Sequence, residues 1–216
     1  MNNDSSQTDG IGDHWDDAYV RKGETGVSWF EETPTVSLDL IAGLSGPKDS
    51  LIDVGGGASR LAAHALSLGF GHVAVLDLSA EAIARAKTAS GSDADRIEWI
   101  VSNVTAWQPQ RRYDVWHDRA AFHFLTEEVD RTAYVARLDA ALSEGGHAIM
   151  ATFALGGPER CSGLPVRRYS HETLADTLGP GFRLLKGVLH EHRTPWVSTQ
   201  AFQFSVLARA LGAAPG

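Results

Sequence analysis

Apolar and polar residues follow one another along most of the chain in blocks that predict strands and helices in turn. Short apolar runs bounded by glycine or an acid, at 51–54 and 72–78, are typical of buried strands. Between the runs, apolar residues three or four positions apart predict amphipathic helices. Further strands are predicted at 97–101 and 113–117. This order predicts a doubly wound α/β fold with a mostly parallel sheet.

The C-terminal part of the chain departs from this order. A helix capped by Thr126 and a strand at 147–153 are followed by a helix capped by Ser170. The last two predicted strands, 182–190 and 201–208, have only a short loop between them. Because a connection this short joins antiparallel strands, we expect a seven-stranded sheet with one antiparallel strand near its C-terminal edge.

The first fifty residues differ from the rest in composition. Residues 1–12 are polar and rich in Ser, Asn and Asp, so a disordered tail is predicted there. Residues 13–49 set aromatic residues such as Trp15 among charges, and Pro34 opens a helix. We interpret this stretch as an N-terminal lid and helix, followed by an α/β domain over 50–210.

Composition narrows the class of protein. The 216 residues are 43% hydrophobic and 21% charged, which is typical of one globular domain and excludes collagen, coiled coil and general disorder. Nineteen Lys and Arg against 27 Asp and Glu give a net charge of −8, which disfavours nucleic acid as a partner. No apolar run approaches the ~20 residues of a membrane helix. With one cysteine and no signal-peptide pattern, we expect a cytoplasmic protein.

The segment LIDVGGGASR, residues 51–60, indicates a ligand-binding turn. A strand that runs into three glycines before a helix lets the backbone bend sharply and lets a ligand lie against peptide groups. A dinucleotide fingerprint requires a glycine where Arg60 stands, so a nicotinamide cofactor is disfavoured. An adenosine ligand without a pyrophosphate does not impose that glycine, and S-adenosylmethionine is such a ligand.

These residues, with the acid that ends the second strand, resemble the motifs of class I S-adenosylmethionine-dependent methyltransferases over residues 50–209. The resemblance implies a Rossmann-like methyltransferase fold with S-adenosyl-L-methionine as cofactor. It places Asp77 where a carboxylate binds both ribose hydroxyls, whereas Ser59 stands where a glycine is common. The cofactor contacts that it implies are Asp53, Gly55, Gly56, Gly57, Asp77, Leu78, Asn103 and Val104.

Two further segments share this resemblance. HWDDAYVRKGETGVSWFEE is similar to the N-terminal lid of smaller class I enzymes, in which an aromatic residue covers the cofactor, and Trp29 is the candidate here. The fourth strand ends as YDVWHDRAAFHFL at the ligand-binding edge of the sheet. We therefore predict His117, Asp118 and His123 as catalytic residues that take a proton from the acceptor, with Asp118 also contacting the cofactor.

The sequence favours methyl transfer to a small-molecule acceptor. A protein lysine methyltransferase is the first alternative, because the lid resembles those enzymes and Asp118-Arg119 stands where they carry an Asp-Lys pair. A non-catalytic cofactor-binding module is the second. A soft anionic acceptor such as a thiolate needs no base, so the identity of the acceptor stays open, as does the oligomeric state.

Three other residues suggest chemistry without defining it. His190 and His192 share one face of a strand, as two metal ligands would, but no acid or cysteine at a convincing spacing accompanies them. No metal site is therefore predicted. Cys161 lies in a loop after the fifth strand, and we expect it to line a cleft together with Trp29, Phe122 and Trp196.

Overall fold

A seven-stranded sheet forms the centre of the structure. The structure is a computed structural model and describes residues 5–23, 27–46, 48–194 and 198–210. Its strands are β1 (Ser50–Val54), β2 (His72–Asp77), β3 (Ile97–Val101), β4 (Tyr113–Arg119), β5 (Leu142–Phe153), β8 (Phe182–Arg193) and β9 (Thr199–Arg209), and a separate hairpin contains β6 (Arg160–Cys161) and β7 (Leu164–Pro165). The helices are α1 (Ser5–Lys22), α2 (Thr35–Ala42), α3 (Leu61–Ser67), α4 (Ala80–Ser90), α5 (Glu128–Ala141) and α6 (His171–Leu178).

The order of the strands across the sheet is β3-β2-β1-β4-β5-β9-β8. The pairs from β3 to β5 are parallel, and β9 runs antiparallel to both β5 and β8. The predicted fold class is therefore confirmed. The chain reverses its direction across the sheet between β1 and β4, and a doubly wound sheet forms its ligand crevice at such a point, beyond the carboxyl ends of the strands.

Helices cover both faces of the sheet, which explains why β1 is buried along its whole length. Leu51 packs into one hydrophobic layer with Leu61 of α3, and Ile52 packs into the opposite layer with Leu138 of α5. Successive side chains of a strand point to opposite faces, so a strand covered on both sides reads as a continuous apolar run.

Side-chain caps are present at the N-termini of α4 and α6. Ser79 accepts a hydrogen bond from the Ala82 amide at 3.0 Å, and Ser170 forms a capping box with Thr173. The prediction for Thr126 is wrong, because α5 starts after Glu127 and has no side-chain cap. This helix instead carries Glu128 and Asp130 in its first turn, where negative charge stabilises the exposed amides.

The N-terminal segment differs from its prediction. Helix α1 starts at Ser5, within the stretch 1–12 that was predicted to be a disordered tail. A carboxylate oxygen of Asp16 accepts hydrogen bonds from the Ser79 hydroxyl at 2.5 Å and the Glu81 amide at 3.2 Å, so α1 is held at the N-terminus of α4. Asp16 and Ser79 are 63 residues apart in sequence, so no local sequence pattern predicts their contact. The division of the chain at residues 13 and 50 stays a prediction.

The hairpin of β6 and β7 was not predicted, and it turns the loop after β5 into ordered structure. Arg160 pairs with Pro165 and Cys161 with Leu164.

Among the residues that the structure describes, no helix combines the length and the apolar character needed to span a bilayer.

Replacing Ser170 with alanine is expected to lower the free energy of unfolding by about 1 kcal/mol, because the Thr173 amide loses its capping acceptor. Urea denaturation measures the change. Ser67→Ala is the control, since that hydroxyl only contacts the Ala63 carbonyl within its own helix, and its effect should stay within about 0.5 kcal/mol. Equal effects of the two substitutions would contradict the assignment of the cap.

Candidate active site

The glycine turn after β1 leaves no space for side chains at its glycine positions. Gly55 and Gly57 adopt positive φ angles of 67° and 37°, which favour glycine. A Cβ atom on Gly55 would lie 2.6 Å from the Ala121 Cβ, and one on Gly57 would lie 2.8 Å from the Tyr19 hydroxyl and 2.9 Å from Asp77 Oδ2. Three separate parts of the chain therefore approach this backbone closely.

Ser59 does not disturb this turn. Its amide donates to the Gly56 carbonyl at 2.6 Å, and its hydroxyl accepts from the Leu61 amide at 3.0 Å. The serine thus supports the start of α3, which explains why this position does not require the glycine that is common in the family.

Two cavities lie at the carboxyl edge of the strands. The larger has a volume of about 210 Å³ and brings together six of the predicted cofactor residues: Trp29, Gly55, Asp77, Leu78, Asn103 and Val104. The smaller, of about 40 Å³, is lined by Asp53, Gly55, Gly56, Ser59, His117 and Arg119, among others. Gly55, Trp29 and Arg119 belong to both walls, so the two cavities are adjacent.

Asp77 ends β2 and reaches the larger cavity. Its Oδ1 accepts from the Ser79 amide at 2.8 Å. Burial raises the pKa of Asp77 to about 6, further helped by the charge of Asp53 and opposed by hydrogen bonds from the amides of Ser79 and Gly57. Asp77 is only partly enclosed, since some of its surface faces the cavity. A donor pair such as a diol would stabilise the charged form.

Asn103 follows β3 and presents one half of its amide to the larger cavity. Its Oδ1 already accepts from the Thr105 amide at 3.0 Å and the Thr105 hydroxyl at 2.9 Å. The amide NH₂ is thus the group left to meet a ligand, and it suits a ring nitrogen better than an exocyclic amino group.

His117 lies below the glycine turn and not in the larger cavity. Its side chain is 3% exposed, its Nδ1 lies 2.7 Å from Asp53 Oδ1, and its Nε2 lies 2.9 Å from the Ser37 hydroxyl. Both ring nitrogens are therefore engaged, and His117 links β1 to α2. The prediction that it takes a proton from an acceptor has no support in this arrangement.

Asp118 is also a structural group. It is fully buried and accepts hydrogen bonds from the Tyr134 hydroxyl at 2.5 Å and from the amides of Ala121 and Phe122. Burial raises the pKa of Asp118 to about 6, whereas the hydrogen bonds from Tyr134 and the two amides lower it. Asp118 supports the turn in which Ala120 has a positive φ of 71°. These contacts lend no support to its predicted catalytic and cofactor roles, which stay predictions.

His123 is fully buried among aromatic rings. Its Nδ1 accepts from the Phe153 amide at 3.3 Å, and its Nε2 has no hydrogen-bond partner. Burial lowers the pKa of His123 to about 3, so the ring is neutral. It contacts Phe124 and Phe153 with ring centroids 4.5 and 4.8 Å apart. The predicted role in proton transfer does not fit this position, and packing does.

Aromatic residues from the N-terminal segment cover the larger cavity. Trp15 of α1 packs edge-on against Trp29 at 5.7 Å and against Phe124 at 5.0 Å. Tyr19 packs against Trp29 at 6.2 Å. Trp29 therefore lies where a covering residue was expected. Trp15 was not singled out as a site residue, although it stands in the same aromatic segment of the sequence.

The other end of the larger cavity contains residues from β4, β5, the hairpin and β9. They are Arg119, Phe153, Cys161, Gln200 and Phe202. Cys161 thus lines the cleft as expected, whereas Phe122 is fully buried beneath it and Trp196 lies outside the described residues. Phe153, Gln200 and Phe202 were missed because the alternation of a strand does not say which of its residues face a cleft.

An acid does accompany the two histidines of β8. Ligand atoms of Glu31, His190 and His192 lie within 4.8 Å of one another. Glu31 Oε1 is also 3.1 Å from an Arg119 nitrogen, and the Nε2 of His192 is 2.7 Å from the Ser28 carbonyl. These partners make an ion-pair cluster that ties the lid to β8, and a cation would compete with the guanidinium. The absence of a metal site stays a prediction.

Comparison with known sequences identifies the family. Residues 51–146, from β1 into β5, match the family described as "Methyltransferase domain". Residues 51–146 form a methyltransferase domain of the class I S-adenosylmethionine-dependent superfamily. The predicted superfamily is therefore confirmed, together with the class of enzyme and its cofactor. The chain is also 24% identical over 162 residues to the eEF1A lysine and N-terminal methyltransferase of Mus musculus, and the match covers 74% of this chain but 22% of that longer protein.

Solved structures share the fold of this methyltransferase at low sequence identity. A SAM-dependent methyltransferase from Anabaena variabilis has a TM-score of 0.73 and 17% identity, covering 93% of this chain and 95% of its own. The 1,6-didemethyltoxoflavin-N1-methyltransferase of Burkholderia thailandensis, solved with bound 1,6-didemethyltoxoflavin and S-adenosylhomocysteine, has a TM-score of 0.66 and 20% identity, covering 95% of this chain and 87% of its own.

Replacing Tyr134 with phenylalanine is expected to lower the free energy of unfolding by about 1–3 kcal/mol. Asp118 loses a donor and the indole N–H of Trp116 loses its acceptor, and both are buried. Chemical denaturation measures the loss. Tyr169→Phe is the matched control, because the Tyr169 hydroxyl is buried without a partner, so its removal should be neutral or stabilising. A loss for Tyr134→Phe no larger than the control's would contradict the network.

Proposed function

We propose that this protein transfers a methyl group from S-adenosylmethionine to a small-molecule acceptor bound at the Arg119 end of the larger cavity. The observation that supports this proposal most is that the cleft is continuous. It is lined by aromatic residues and extends from Asp77 and Asn103, past the glycine turn, to Phe153 and Phe202. A nucleoside and a second molecule would lie in line within it, as displacement at a methyl group requires.

The adenosine would lie at the end of the cleft formed by β2 and β3. The Asp77 carboxylate would accept from both ribose hydroxyls, since charged acceptors make the stronger hydrogen bonds. Leu78 and Val104 offer apolar contacts on either side, and the amide NH₂ of Asn103 would donate to a ring nitrogen of adenine. The close approach of Gly57 to Asp77 supports this, because a side chain there would fill the ribose position.

The methionine end would enter the smaller cavity. Asp53 Oδ2 is buried and has no hydrogen-bond partner, whereas Oδ1 is bonded to His117. An unpartnered carboxylate oxygen in this position suits the ammonium group of the cofactor. A Cβ atom on Gly56 would lie 2.7 Å from that oxygen, so the glycine keeps the path to it open.

The cofactor supplies a methyl group on a sulfonium, which is already a good leaving group. The protein then has to orient the acceptor and exclude water. Trp15, Trp29 and Phe124 would exclude water by covering the cleft. The face of the Trp29 ring would also favour the positive charge of the sulfonium near it. Because His117, Asp118 and His123 are engaged or neutral in the core, we propose no general base from among them.

Affinity for S-adenosylhomocysteine is expected to fall as the pH drops through about 6. The raised pKa of Asp77 means that its carboxylate is ionised above this value and protonated below it, and only the ionised form accepts from both hydroxyls. Below pH 6 the loss should approach about tenfold per pH unit. Calorimetric titrations between pH 5 and 8 measure it.

Asp77→Asn is the control for this pH dependence. The variant should bind S-adenosylhomocysteine about tenfold or more weakly at pH 8 and show little change down to pH 5.5. It retains Asp118, whose pKa is also raised to about 6 by burial. If the affinity of the variant depends on pH as that of the wild-type protein does, the pH dependence arises from Asp118, and the role of Asp77 is rejected.

A protein acceptor is the second candidate, supported by the similarity to the eEF1A methyltransferase. Incubating the purified protein and host extract with S-adenosylmethionine labelled in the methyl group separates the two. We expect label in small molecules, dependent on the intact protein and lost in Asp77→Asn. A labelled protein band would support the second candidate. No transfer despite measurable cofactor binding would instead favour a non-catalytic binding module.

A further inference from the structure

Arg119 ends β4 with a buried guanidinium at the junction of the two cavities. Its side chain is 13% exposed, its Nη1 donates to the Trp29 carbonyl at 2.8 Å, and its charged carbon lies 5.6 Å from the centre of the Phe202 ring. These contacts hold the plane of the guanidinium fixed between the lid and β9. A fixed guanidinium presents its remaining N–H groups in one defined direction.

One edge of this guanidinium lacks aligned acceptors. Neither Nε nor Nη2 has a hydrogen-bond partner. Glu31 Oε1 lies 3.1 Å from Nη2, so the two form an ion pair, but the oxygen is not in line with an N–H bond. The Nε and Nη2 hydrogens are parallel and form the fork that binds a carboxylate through both of its oxygens.

Glu31 is shared by the Arg119 guanidinium and the His192 ring. The Nδ1 of His192 lies 3.0 Å from Glu31 Oε1, and its Nε2 lies 2.7 Å from the Ser28 carbonyl. Burial raises the pKa of Glu31, but the hydrogen bond from His192 and the charge of Arg119 together bring it below its usual value. The Glu31 carboxylate is therefore engaged by both side chains.

Asp53 is the other acid that acts electrostatically on Arg119, and the proposed function places the cofactor ammonium against it. Burial lowers the pKa of Arg119, which shows that its charge is incompletely solvated. In the bound cofactor the ammonium and the carboxylate of the methionine offset each other, so the sulfonium leaves one net positive charge in this region. An anion from the second molecule in the cleft would balance it.

We propose that Arg119 binds a carboxylate of the methyl acceptor, and that the acceptor is an aromatic acid. This inference rests on the proposed function and names its substrate class. The aromatic part would pack against Phe153 and Phe202, whose rings contact each other edge-on at 4.9 Å and line the same end of the cleft. Arg119 and the two rings would thus select flat anionic molecules and place them beside the methyl group.

The test uses matched pairs of probes on the protein saturated with S-adenosylhomocysteine: benzoate and benzamide, and indole-3-acetate and indole-3-acetamide. Protein-observed NMR titrations give their dissociation constants. We expect at least one carboxylate to bind about tenfold more tightly than its amide, and Arg119→Gln to remove this preference. Arg111→Gln is the matched control, because Arg111 also lies over an aromatic ring, that of Tyr113, but on the exposed surface.

A second variant is expected to change the preference for carboxylate probes in the opposite direction. Glu31→Gln removes the carboxylate that competes for Arg119, so it should increase the preference for carboxylate probes several-fold even if Arg119→Gln fails to fold. The proposal is overturned if each acid and its amide bind alike, if no acid binds, or if Glu31→Gln weakens the acids.

The binding of S-adenosylhomocysteine itself separates this proposal from the proposed function. Its affinity should change less than about threefold in Arg119→Gln. A loss of tenfold or more would assign Arg119 to the methionine carboxylate and overturn the acceptor role while leaving the cofactor site intact. If the wild-type protein does not bind S-adenosylhomocysteine, the proposed function fails and this inference fails with it.

Discussion

The close packing around the Gly55–Gly57 turn is the constraint on which the site depends. Ala121 of the loop after β4, Tyr19 of α1 and Asp77 of β2 all approach this backbone within the distance that a side chain would occupy. A bend made of residues with side chains would push these three elements apart. Asp77, α1 and the loop after β4 would then separate together, since each is positioned against the same few atoms.

Beneath the turn, buried polar groups hold the backbone in place. Asp53 and His117 connect β1 to Ser37 of α2, and Asp118 accepts from two loop amides and the Tyr134 hydroxyl. Buried networks of this kind favour a single conformation, because breaking one member leaves the others buried without partners. They allow the loop after β4 to keep the strained backbone at Ala120 beside the cleft.

The fold, and the presence of six candidate cofactor residues around one cavity, could be predicted from sequence because their signals are local. The glycine run, the acid at the end of β2 and the apolar strand patterns each lie within a few residues. The roles of His117, Asp118 and His123 could not be predicted, because β4 is covered on both faces and its pattern does not distinguish cleft from core. Their partners, Ser37 and Tyr134, are distant in sequence, and no spacing rule connects them.

The acceptor end of the cleft combines both ends of the chain. Trp29 and Glu31 come from the lid, whereas His192 and Phe202 come from the last two strands, and Arg119 contacts both groups. The other end of the cleft uses the central strands together with Trp15 and Tyr19 of α1. Substitutions in β8 and β9 would therefore change the proposed acceptor pocket without directly contacting Asp77 or the glycine turn. Such a separation would let one cofactor site serve different acceptors, because Phe202 and His192 lie outside the strands that carry Asp77 and the glycine turn.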